Sequence, residues 1–390
     1  MPRVQKRSRR LLRRRPVLAV GLGLLVLVGV VLVSYTRAML RPSSVPVSIR
    51  SIEWVRGNGG AWLVNDVERL WYRWHAPKRG GPALRSLPAL TTPGQAPRSA
   101  LITHAVLPHW DPPPVPPVIR PGLPGEGRWL ASGILLRAHA PVLMTVLRPQ
   151  PEYPRLLAYV AWIDHTLTRL ALYPGRYEPP SAQVRGPEKV PQGQRWRLLA
   201  TFNSGFTYKD GHGGFAVNGR TYEPLRRGSA TAVAYADGRV DVKAWTGGAA
   251  PGSRIVLARQ NLPLIVDGGR PTPDLNRSSK WGSTLGNAIQ VWRTALGVDR
   301  RGNLLYAAAN YQTVGSLARL MIHVGAVRAM QLDINAEWPT FIAYGRRGGR
   351  DPVKLVPNTQ QSSTRYLSPD DRDFFGVYAW SGGSAAVPFR

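Results

Sequence analysis

The longest hydrophobic stretch of the chain lies near its N-terminus. Residues Pro16–Thr36 carry no charge, and the apolar part of this stretch is Val17–Val33. That length is at the short end of the roughly 17–25 residues that a helix needs to cross a bilayer. Tyr35 and Arg37 follow, and both residue types suit a membrane interface. The pattern predicts a transmembrane signal-anchor over residues 16–36.

The charges before this stretch predict its orientation. The first fifteen residues contain no acidic side chain and these eight cations: Arg3, Lys6, Arg7, Arg9, Arg10, Arg13, Arg14 and Arg15. Clustered cations stay on the cytoplasmic side, so we expect residues 1–15 to form a cytoplasmic basic tail and the main domain to be extracytoplasmic. A cleaved signal peptide is the alternative, because Thr36-Arg37-Ala38 is a weak small-x-small site.

Residues 37–127 are expected to form a tether, an amphipathic helix and a Pro-rich segment. Within Trp62–Trp74, apolar residues recur at spacings of four, three, one and three, which is typical of one helix face. We favour packing of this helix on the main domain over a position at the membrane surface, because Lys and Arg do not dominate its polar face. The stretch "PHWDPPPVPPVIRPGLP" is either a polyproline spacer or a wrapped surface loop.

The remainder, residues 128–390, alternates short apolar runs with turn residues. "PVLMTV", "LLAYVAWID" and "TRLALY" are typical of strands. Hairpin turns are predicted at Asn218-Gly219, Asp237-Gly238 and Arg300–Asn303. One helix is predicted from Val314 to Val324, with Thr313 as its N-cap and Gly325 as its stop. The fold class is therefore α+β, a β-rich mixed-sheet domain with a few packed helices, preceded by one transmembrane helix.

The amino-acid composition excludes some kinds of site and partner. The chain has no cysteine, which excludes disulfides, thiolate metal sites and cysteine nucleophiles. A net charge of +30 would suggest a nucleic-acid partner, but eight of the charges belong to the predicted tail and the others are scattered. We find no basic helix and no stacked-aromatic motif, so we expect no nucleic acid. Arg outnumbers Lys 45 to 7, which favours a genome-wide codon bias as the cause, and anionic wall polymers or lipid headgroups are the alternative that a basic exterior suits.

Three segments in the β-rich part hold polar residues that suit a substrate site. Asn203 and Gly205 end the apolar run in "TFNSGF", where glycine permits a tight turn or a close approach to a ligand. His212 lies in the glycine-rich "KDGHGGF". Arg293 and Thr294 begin a strand in "QVWRTALG", where an arginine entering a buried strand needs an anionic partner, either a structural carboxylate or a bound phosphate. Each also has an ordinary structural interpretation.

The fourth segment is "QLDINAEWPTF", where a short strand runs into Asp333, Asn335 and Glu337. Asp333 and Glu337 could supply the two carboxyl groups that glycosyl chemistry usually needs. Alternatively, Asp333 caps a turn and Glu337 is solvated. The three side chains could also hold a hard cation through oxygen, so a divalent cation is possible although no cofactor is predicted.

The order of four motifs resembles the phosphodiester glycosidase family, which includes the lysosomal uncovering enzyme and bacterial exported proteins linked to exopolysaccharide. The motifs are "LLATFNSGF", "GGFAVNGR", "VWRTALGVDRRGNLLYAAA" and "SLARLMIHVGAVRAMQLD". The matched residues are Asn203, Gly205, Phe206, Gly214, Gly219, Arg293, Thr294, Gly297, Leu332 and Asp333. "LLAYVAWIDHTLTRLALY" resembles the family's opening hairpin, so the resemblance covers roughly residues 155–345. One departure stands out, because the family's Asp-Gly-Gly-x-Ser is Asp333-Ile334-Asn335-Ala336-Glu337 here.

The resemblance implies a membrane-anchored extracytoplasmic hydrolase that acts on a sugar-phosphate linkage of an envelope polysaccharide or glycolipid. Asp333, Glu337 and His212 are then the catalytic candidates. The substrate-binding candidates are Asn203, Gly205, Arg293, Thr294 and Asn335, with Arg293 on the phosphate. The alternative is a non-catalytic protein that keeps the fold and binds cell-wall polysaccharide, and the loss of the two glycines supports it.

Overall fold

The structure, a computed structural model, describes residues 5–90, 110–181, 186, 188–276, 281 and 290–380, with side chains from residue 19 onward. The described helices are α1 (Gln5–Leu40), α2 (Val47–Val55), α3 (Ala61–Trp74), α4 (Tyr208–Gly211) and α5 (Val314–His323). A π-type turn covers Arg56–Gly60 and a 3-10 turn covers Gln192–Arg197.

The described strands number eighteen. They are β1 (Leu130–Ala131), β2 (Val142–Leu147), β3 (Ala158–Ile163), β4 (Thr168–Tyr173), β5 (Leu198–Asn203), β6 (Phe215–Val217), β7 (Arg220–Glu223), β8 (Ala230–Tyr235), β9 (Val240–Ala244), β10 (Ile255–Gln260), β11 (Leu264–Asp267), β12 (Arg270–Pro271), β13 (Val291–Val298), β14 (Leu304–Gln312), β15 (Arg328–Gln331), β16 (Phe341–Arg346), β17 (Arg350–Lys354) and β18 (Phe374–Ala379).

These strands form three sheets with antiparallel pairing. The largest has the order β1-β2-β3-β14-β13-β15-β11-β12. The other two have the orders β7-β6-β10-β8-β9 and β17-β16-β5-β18-β4. Strands β14 and β15 both pair with β13, so they run parallel to each other, and α5 connects them. The predicted α+β class is confirmed.

The predicted hairpins form, and local backbone chemistry explains their turns. Asn218 and Gly219 both have positive φ (50° and 77°), as a two-residue hairpin turn requires. The turn at Asp237-Gly238 is longer than predicted, since four residues separate β8 from β9 and only Gly238 has positive φ. Between β13 and β14, Asp299 accepts the backbone N–H of Arg301 (2.8 Å).

The caps of α5 also agree with the prediction. Thr313 accepts the Ser316 N–H at 3.0 Å, and Ser316 Oγ accepts the Thr313 N–H at 3.0 Å, which satisfies two N–H groups at the helix start. Gly325 follows the helix with φ of 99°. The apolar face of α5 is buried against the eight-stranded sheet, where its residues share a core cluster with Leu305 and Ala329.

The expected opening hairpin is wrong. β3 pairs with β2 and β14 in the eight-stranded sheet, whereas β4 pairs with β18 in another sheet. Asp164 makes the corner, because its carboxylate accepts both the N–H (2.7 Å) and the hydroxyl (2.6 Å) of Thr166. The chain therefore crosses between sheets at this point. The inner faces of all three sheets share one core cluster.

Residues 1–42 and 46–64 form one compact unit, and residues 43–45 and 65–390 form the other. In the first unit, Ala19–Leu40 is long and apolar enough to cross a membrane, with 22 residues and a mean hydropathy of 2.3. Helix α2 runs back along the end of α1, since Tyr35 and Ser51 share a hydrogen bond (2.9 Å) and Trp54 donates to Ser34 (3.2 Å). The eight cationic side chains of the predicted tail lie outside the described side chains.

In the second unit, α3 contacts the domain through a face that the sequence did not favour. The expected contact was the apolar face of Trp62–Trp74, but that face is exposed. Instead Tyr72 packs with Phe206, Val291 and Ile334. The Pro-rich segment, expected as either spacer or wrapped loop, is held to the domain by the buried pair of Arg148 with Glu126 (2.8 Å).

Candidate active site

Asp333 is positioned by the strand beside it. It follows β15, where its N–H donates to Thr294 Oγ1 (2.9 Å) and its carbonyl accepts the Thr294 N–H (2.9 Å). The Thr294 hydroxyl oxygen also accepts from Asn203 Nδ2 (3.2 Å). Thr294 therefore fixes the backbone that carries the Asp333 carboxyl, and its hydroxyl is used within the protein.

Asn203 is a buried hub at the end of β5. Its Oδ1 accepts the Tyr306 hydroxyl (2.8 Å) and the Thr340 N–H (3.1 Å), while its Nδ2 donates to the Ser204 carbonyl (2.8 Å) and to Thr294. These bonds tie β5 to β13, β14 and the start of β16. Asn203 therefore positions the strand ends around the site, and its role as a substrate contact stays a prediction.

Gly205 is required by a close approach of another side chain. A Cβ at this position would lie 2.9 Å from the amide of Asn261. Asn261 in turn donates from Nδ2 to the carbonyls of Gln331 (2.6 Å) and Leu332 (2.8 Å), directly before Asp333. Sequence reasoning missed Asn261, which follows β10 without any motif to mark it.

Arg372 is the cation of the site, and sequence reasoning missed it too. Its Nη2 donates to Asp333 Oδ2 (3.1 Å) and to the Gly205 carbonyl (3.0 Å), and its guanidinium lies 4.9 Å from the Trp338 ring centroid. The Arg372 side chain is 15% exposed, against 6% for Asp333. Arg372 could have been identified by the signal that identified Arg293, because it lies just before the buried strand β18.

Burial dominates the electrostatics of Asp333. Burial raises the pKa of its carboxyl, and the Arg372 charge together with the N–H groups of Asn335 and Ile334 oppose that rise. Those two N–H groups donate to Oδ1 at 3.0 and 2.8 Å. These hydrogen bonds close a turn in which neither Ile334 nor Asn335 has positive φ. The backbone of this loop therefore does not need the two glycines of the family motif.

Glu178 is a second buried carboxyl near Arg372. Burial raises its pKa as well, while the Arg372 charge and the Tyr208 N–H (3.0 Å to Oε2) lower it. Sequence reasoning missed Glu178 because it lies in the turn-rich stretch "YPGRYEPP" after β4. The Arg372 charge therefore acts on both Asp333 and Glu178, and burial makes both carboxyls hold a proton more readily than an exposed carboxyl would.

Ser204, between Asn203 and Gly205 in the chain, has a buried hydroxyl. It is 2% exposed, and within the described part of the chain its Oγ has no hydrogen-bond partner. Buried hydroxyls are normally satisfied, so an orphan next to Asn203 and Gly205 fits a site that bonds a ligand.

Arg293 is not brought to Asp333. It is buried and donates to the carbonyl of Gln312 (2.8 Å) and to the side chain of Gln331, whereas Thr294 faces the site. Consecutive strand residues point to opposite faces, which explains the separation. Burial lowers the pKa of the Arg293 guanidinium to about 10.

The remaining sequence candidates are Asn335, Glu337 and His212. Asn335 Oδ1 accepts the Glu337 N–H (3.0 Å), which gives it a turn-forming role. Glu337 is half-buried and its charge acts on Tyr72 of α3. His212 is exposed at the end of α4, where it contacts the Tyr208 ring edge-on. Among the described residues, no group of three His, Cys, Asp or Glu side chains could hold a metal ion.

The comparisons with known proteins agree with the motif order. A model of the phosphodiester glycosidase family matches residues 197–333. No curated protein sequence matches the chain.

Three solved structures have partial similarity to this chain. One is the catalytic domain of zebrafish N-acetylglucosamine-1-phosphodiester alpha-N-acetylglucosaminidase, auto-inhibited by its pro-peptide, with 14% identity, a TM-score of 0.43 and coverage of 62% of this chain and 85% of that one. A hypothetical protein from Synechocystis has 14% identity, a TM-score of 0.36 and coverage of 58% and 59%. A candidate exported protein from Burkholderia pseudomallei has 13% identity, a TM-score of 0.35 and coverage of 59% and 75%.

The matched segment includes Asn203, Gly205, Thr294 and Asp333, whereas Glu178 and Arg372 lie outside it. The resemblance inferred from the motifs is therefore confirmed. Residues 197–333 of this chain match the model of the phosphodiester glycosidase family.

Proposed function

We propose that this protein is a membrane-anchored extracytoplasmic hydrolase that cleaves a glycosyl phosphodiester in an envelope polysaccharide or glycolipid. The observation that carries the proposal is the Asp333 carboxyl, which is buried, has a raised pKa and is paired with a partly exposed arginine. Groups with such perturbed pKa values are the usual acids and bases of catalysis. The family match supports the phosphodiester linkage.

Arg372 is the proposed phosphate ligand, in place of Arg293. A guanidinium binds a phosphate through paired N–H donors, and the Arg372 group is closer to solvent than the fully buried Arg293. A phosphate on Arg372 takes over part of the charge that now compensates Asp333. Substrate binding thereby raises the pKa of Asp333 further, toward the range in which it exchanges a proton at neutral pH.

The proposed reaction is hydrolysis at the anomeric carbon. Asp333 accepts a proton from water as the water oxygen bonds to that carbon, and the bond from the carbon to the phosphate oxygen breaks. The phosphate leaves with its oxygen and electron pair, stabilised by Arg372. Glu178 is the second proton-transfer group, and Ser204 is the proposed partner of a sugar hydroxyl.

The test is sugar release from a sugar-1-phosphodiester by purified full-length protein. Asp333→Asn should lower kcat by about 100-fold or more, the usual contribution of a positioned acid or base. Asp237→Asn, the same change in an exposed hairpin turn, is the control and should leave turnover unchanged. Turnover by Asp333→Asn at the wild-type rate would contradict the proposal.

Two further pairs of variants distinguish the two arginines and the two glutamates. Arg372→Met should raise KM and lower kcat, whereas Arg293→Met should act mainly on stability, because its bonds join neighbouring strands. Glu337→Gln should matter less than Glu178→Gln, because Glu178 is buried and the Arg372 charge acts on it as it does on Asp333. The alternative, a non-catalytic polysaccharide-binding protein, predicts polymer binding without turnover in the unaltered chain.

A further inference from the structure

Helix α3 presents an apolar face that no described residue covers. The side chains on this face, together with Trp62 at the start of the helix, are between 47% and 76% exposed: Trp62, Leu63, Val67, Leu70, Trp71 and Trp74. At about 100° per residue, all of them except Trp62 fall within an arc of roughly 100°. Exposed apolar patches of this kind mark a surface that meets a partner.

The composition of this face favours a lipid bilayer over a protein. Tryptophan is enriched at membrane interfaces, where the indole body meets acyl chains and its N–H meets headgroups. Arg73 is exposed on the adjoining edge of the helix, where it can meet anionic headgroups, whereas Arg69, farther round, is paired with Asp66 (2.7 Å). An apolar face of Trp, Leu and Val with an arginine at its edge is typical of an interfacial helix.

The first unit holds the start of α3 near the C-terminal end of the apolar span of α1. The hydrogen bonds between α2 and the end of α1 place Trp54 beside Ser34, and Tyr35 contacts the Trp54 ring at 5.3 Å between centroids. These α1 residues lie in the last part of the apolar span Ala19–Leu40. Only six residues separate Trp54 from Ala61, so α3 begins within roughly 25 Å of that end.

We infer that the α3 face formed by Leu63, Val67, Leu70, Trp71 and Trp74 docks into the outer interface of the bilayer that α1 crosses. The inference rests on the membrane anchoring in the proposed function. It also indicates where the substrate would be reached, because Tyr72, on another face of α3, packs against Ile334 beside Asp333. A docked α3 holds the candidate active site next to the lipid surface, where a lipid-linked glycosyl phosphodiester would be presented.

The absence of cysteine in the chain permits a direct test. Full-length Val67→Cys, Arg73→Cys and Leu25→Cys variants would each carry one environment-sensitive fluorophore in nanodiscs of phosphatidylcholine and phosphatidylglycerol. Val67 and Arg73 are both exposed on α3 but lie on different faces, so they form a matched pair. Leu25 lies in the α1 span and reports anchoring separately.

The expected result is quenching of the Val67 probe by doxyl-labelled lipid that is at least about twofold stronger than that of the Arg73 probe, with the Leu25 probe quenched as well. Quenching at Leu25 with equal, weak quenching at Val67 and Arg73 would overturn the docking and leave the anchor standing. Shielding of Val67 from aqueous iodide without lipid quenching would assign the face to a protein partner or a second copy, and would also overturn it. Absence of quenching at Leu25 would overturn the anchoring and the docking together.

Discussion

Two buried ion pairs take their arginines, Arg365 and Arg372, from the loop before β18, and they differ in how fully their carboxylates are satisfied. Asp370 accepts from Arg365 at 2.8 and 3.1 Å, from Ser44 Oγ at 2.7 Å and from the Arg372 N–H at 3.0 Å. Both side chains of that pair are 0% exposed. Asp333 has one bond to Arg372, at 3.1 Å, and two backbone donors on its other oxygen.

The electrostatic outcomes are opposite. Burial tends to raise the pKa of both carboxyls, but for Asp370 the Arg365 charge and its hydrogen bonds win, and the pKa is lowered. For Asp333 burial wins, and the pKa is raised. A pair that fully compensates its carboxylate stabilises structure, whereas a carboxylate left partly uncompensated is available to exchange a proton.

The largest expected effect is on the unfolding free energy of the two Asn variants. Asp370→Asn leaves Arg365 buried without its counter-charge and should cost about 3–5 kcal/mol. Asp333→Asn removes the counter-charge of Arg372, but the Arg372 side chain is 15% exposed and keeps contact with water, so the cost should be smaller, about 1–2 kcal/mol. Chemical denaturation of the purified full-length variants measures both. Equal losses would mean that the Asp333 pair is structural as well.

A smaller effect of opposite sign is expected when the pH is varied. The pKa of Asp333 is raised above its ordinary 3.8, so the folded state holds the proton longer and the stability contribution of this group falls as pH rises from about 4. The pKa of Asp370 is lowered, so its contribution is present above pH 3.8 and is lost on acidification through the lowered value.

Melting temperatures between about pH 3 and pH 7 test these signs. The wild-type advantage over Asp370→Asn should grow as pH rises, and the advantage over Asp333→Asn should shrink. Parallel curves for the two variants would contradict the contrast.

The smallest expected effect concerns the residue that positions Asp333. Thr294→Val removes the hydroxyl that accepts from Asp333 and Asn203, and should cost about 1–2 kcal/mol and lower kcat several-fold with little change in KM. Thr145→Val is the matched control, because Thr145 is fully buried and its hydroxyl has no hydrogen-bond partner in the described part of the chain. If both valine variants behave alike, Thr294 does not position the carboxyl.

Local features of the fold could be predicted from the sequence. The turn at Asn218-Gly219, the caps of α5 at Thr313 and Gly325, and the strands around them depend on residues a few positions apart. The partners of β3 and β4 could not be predicted, because the pairing of strands depends on packing across the whole domain. The prediction of the α3 face that contacts the domain was wrong for a related reason, since periodicity identifies an apolar face without indicating what covers it.

By itself, the sequence determined the apolar span, the α+β class, the order of the family motifs and the position of Asp333 at a strand end. Only the tertiary structure decided three things. Asp333 pairs with Arg372 rather than Arg293, the Arg372 charge also acts on Glu178, and the Asn261 side chain leaves no room for a Cβ at Gly205. The physical reason is the large sequence separation between the contacting residues. Arg372 and Thr294 both contact Asp333 across 39 residues, and these contacts exist only once three sheets have met around one core.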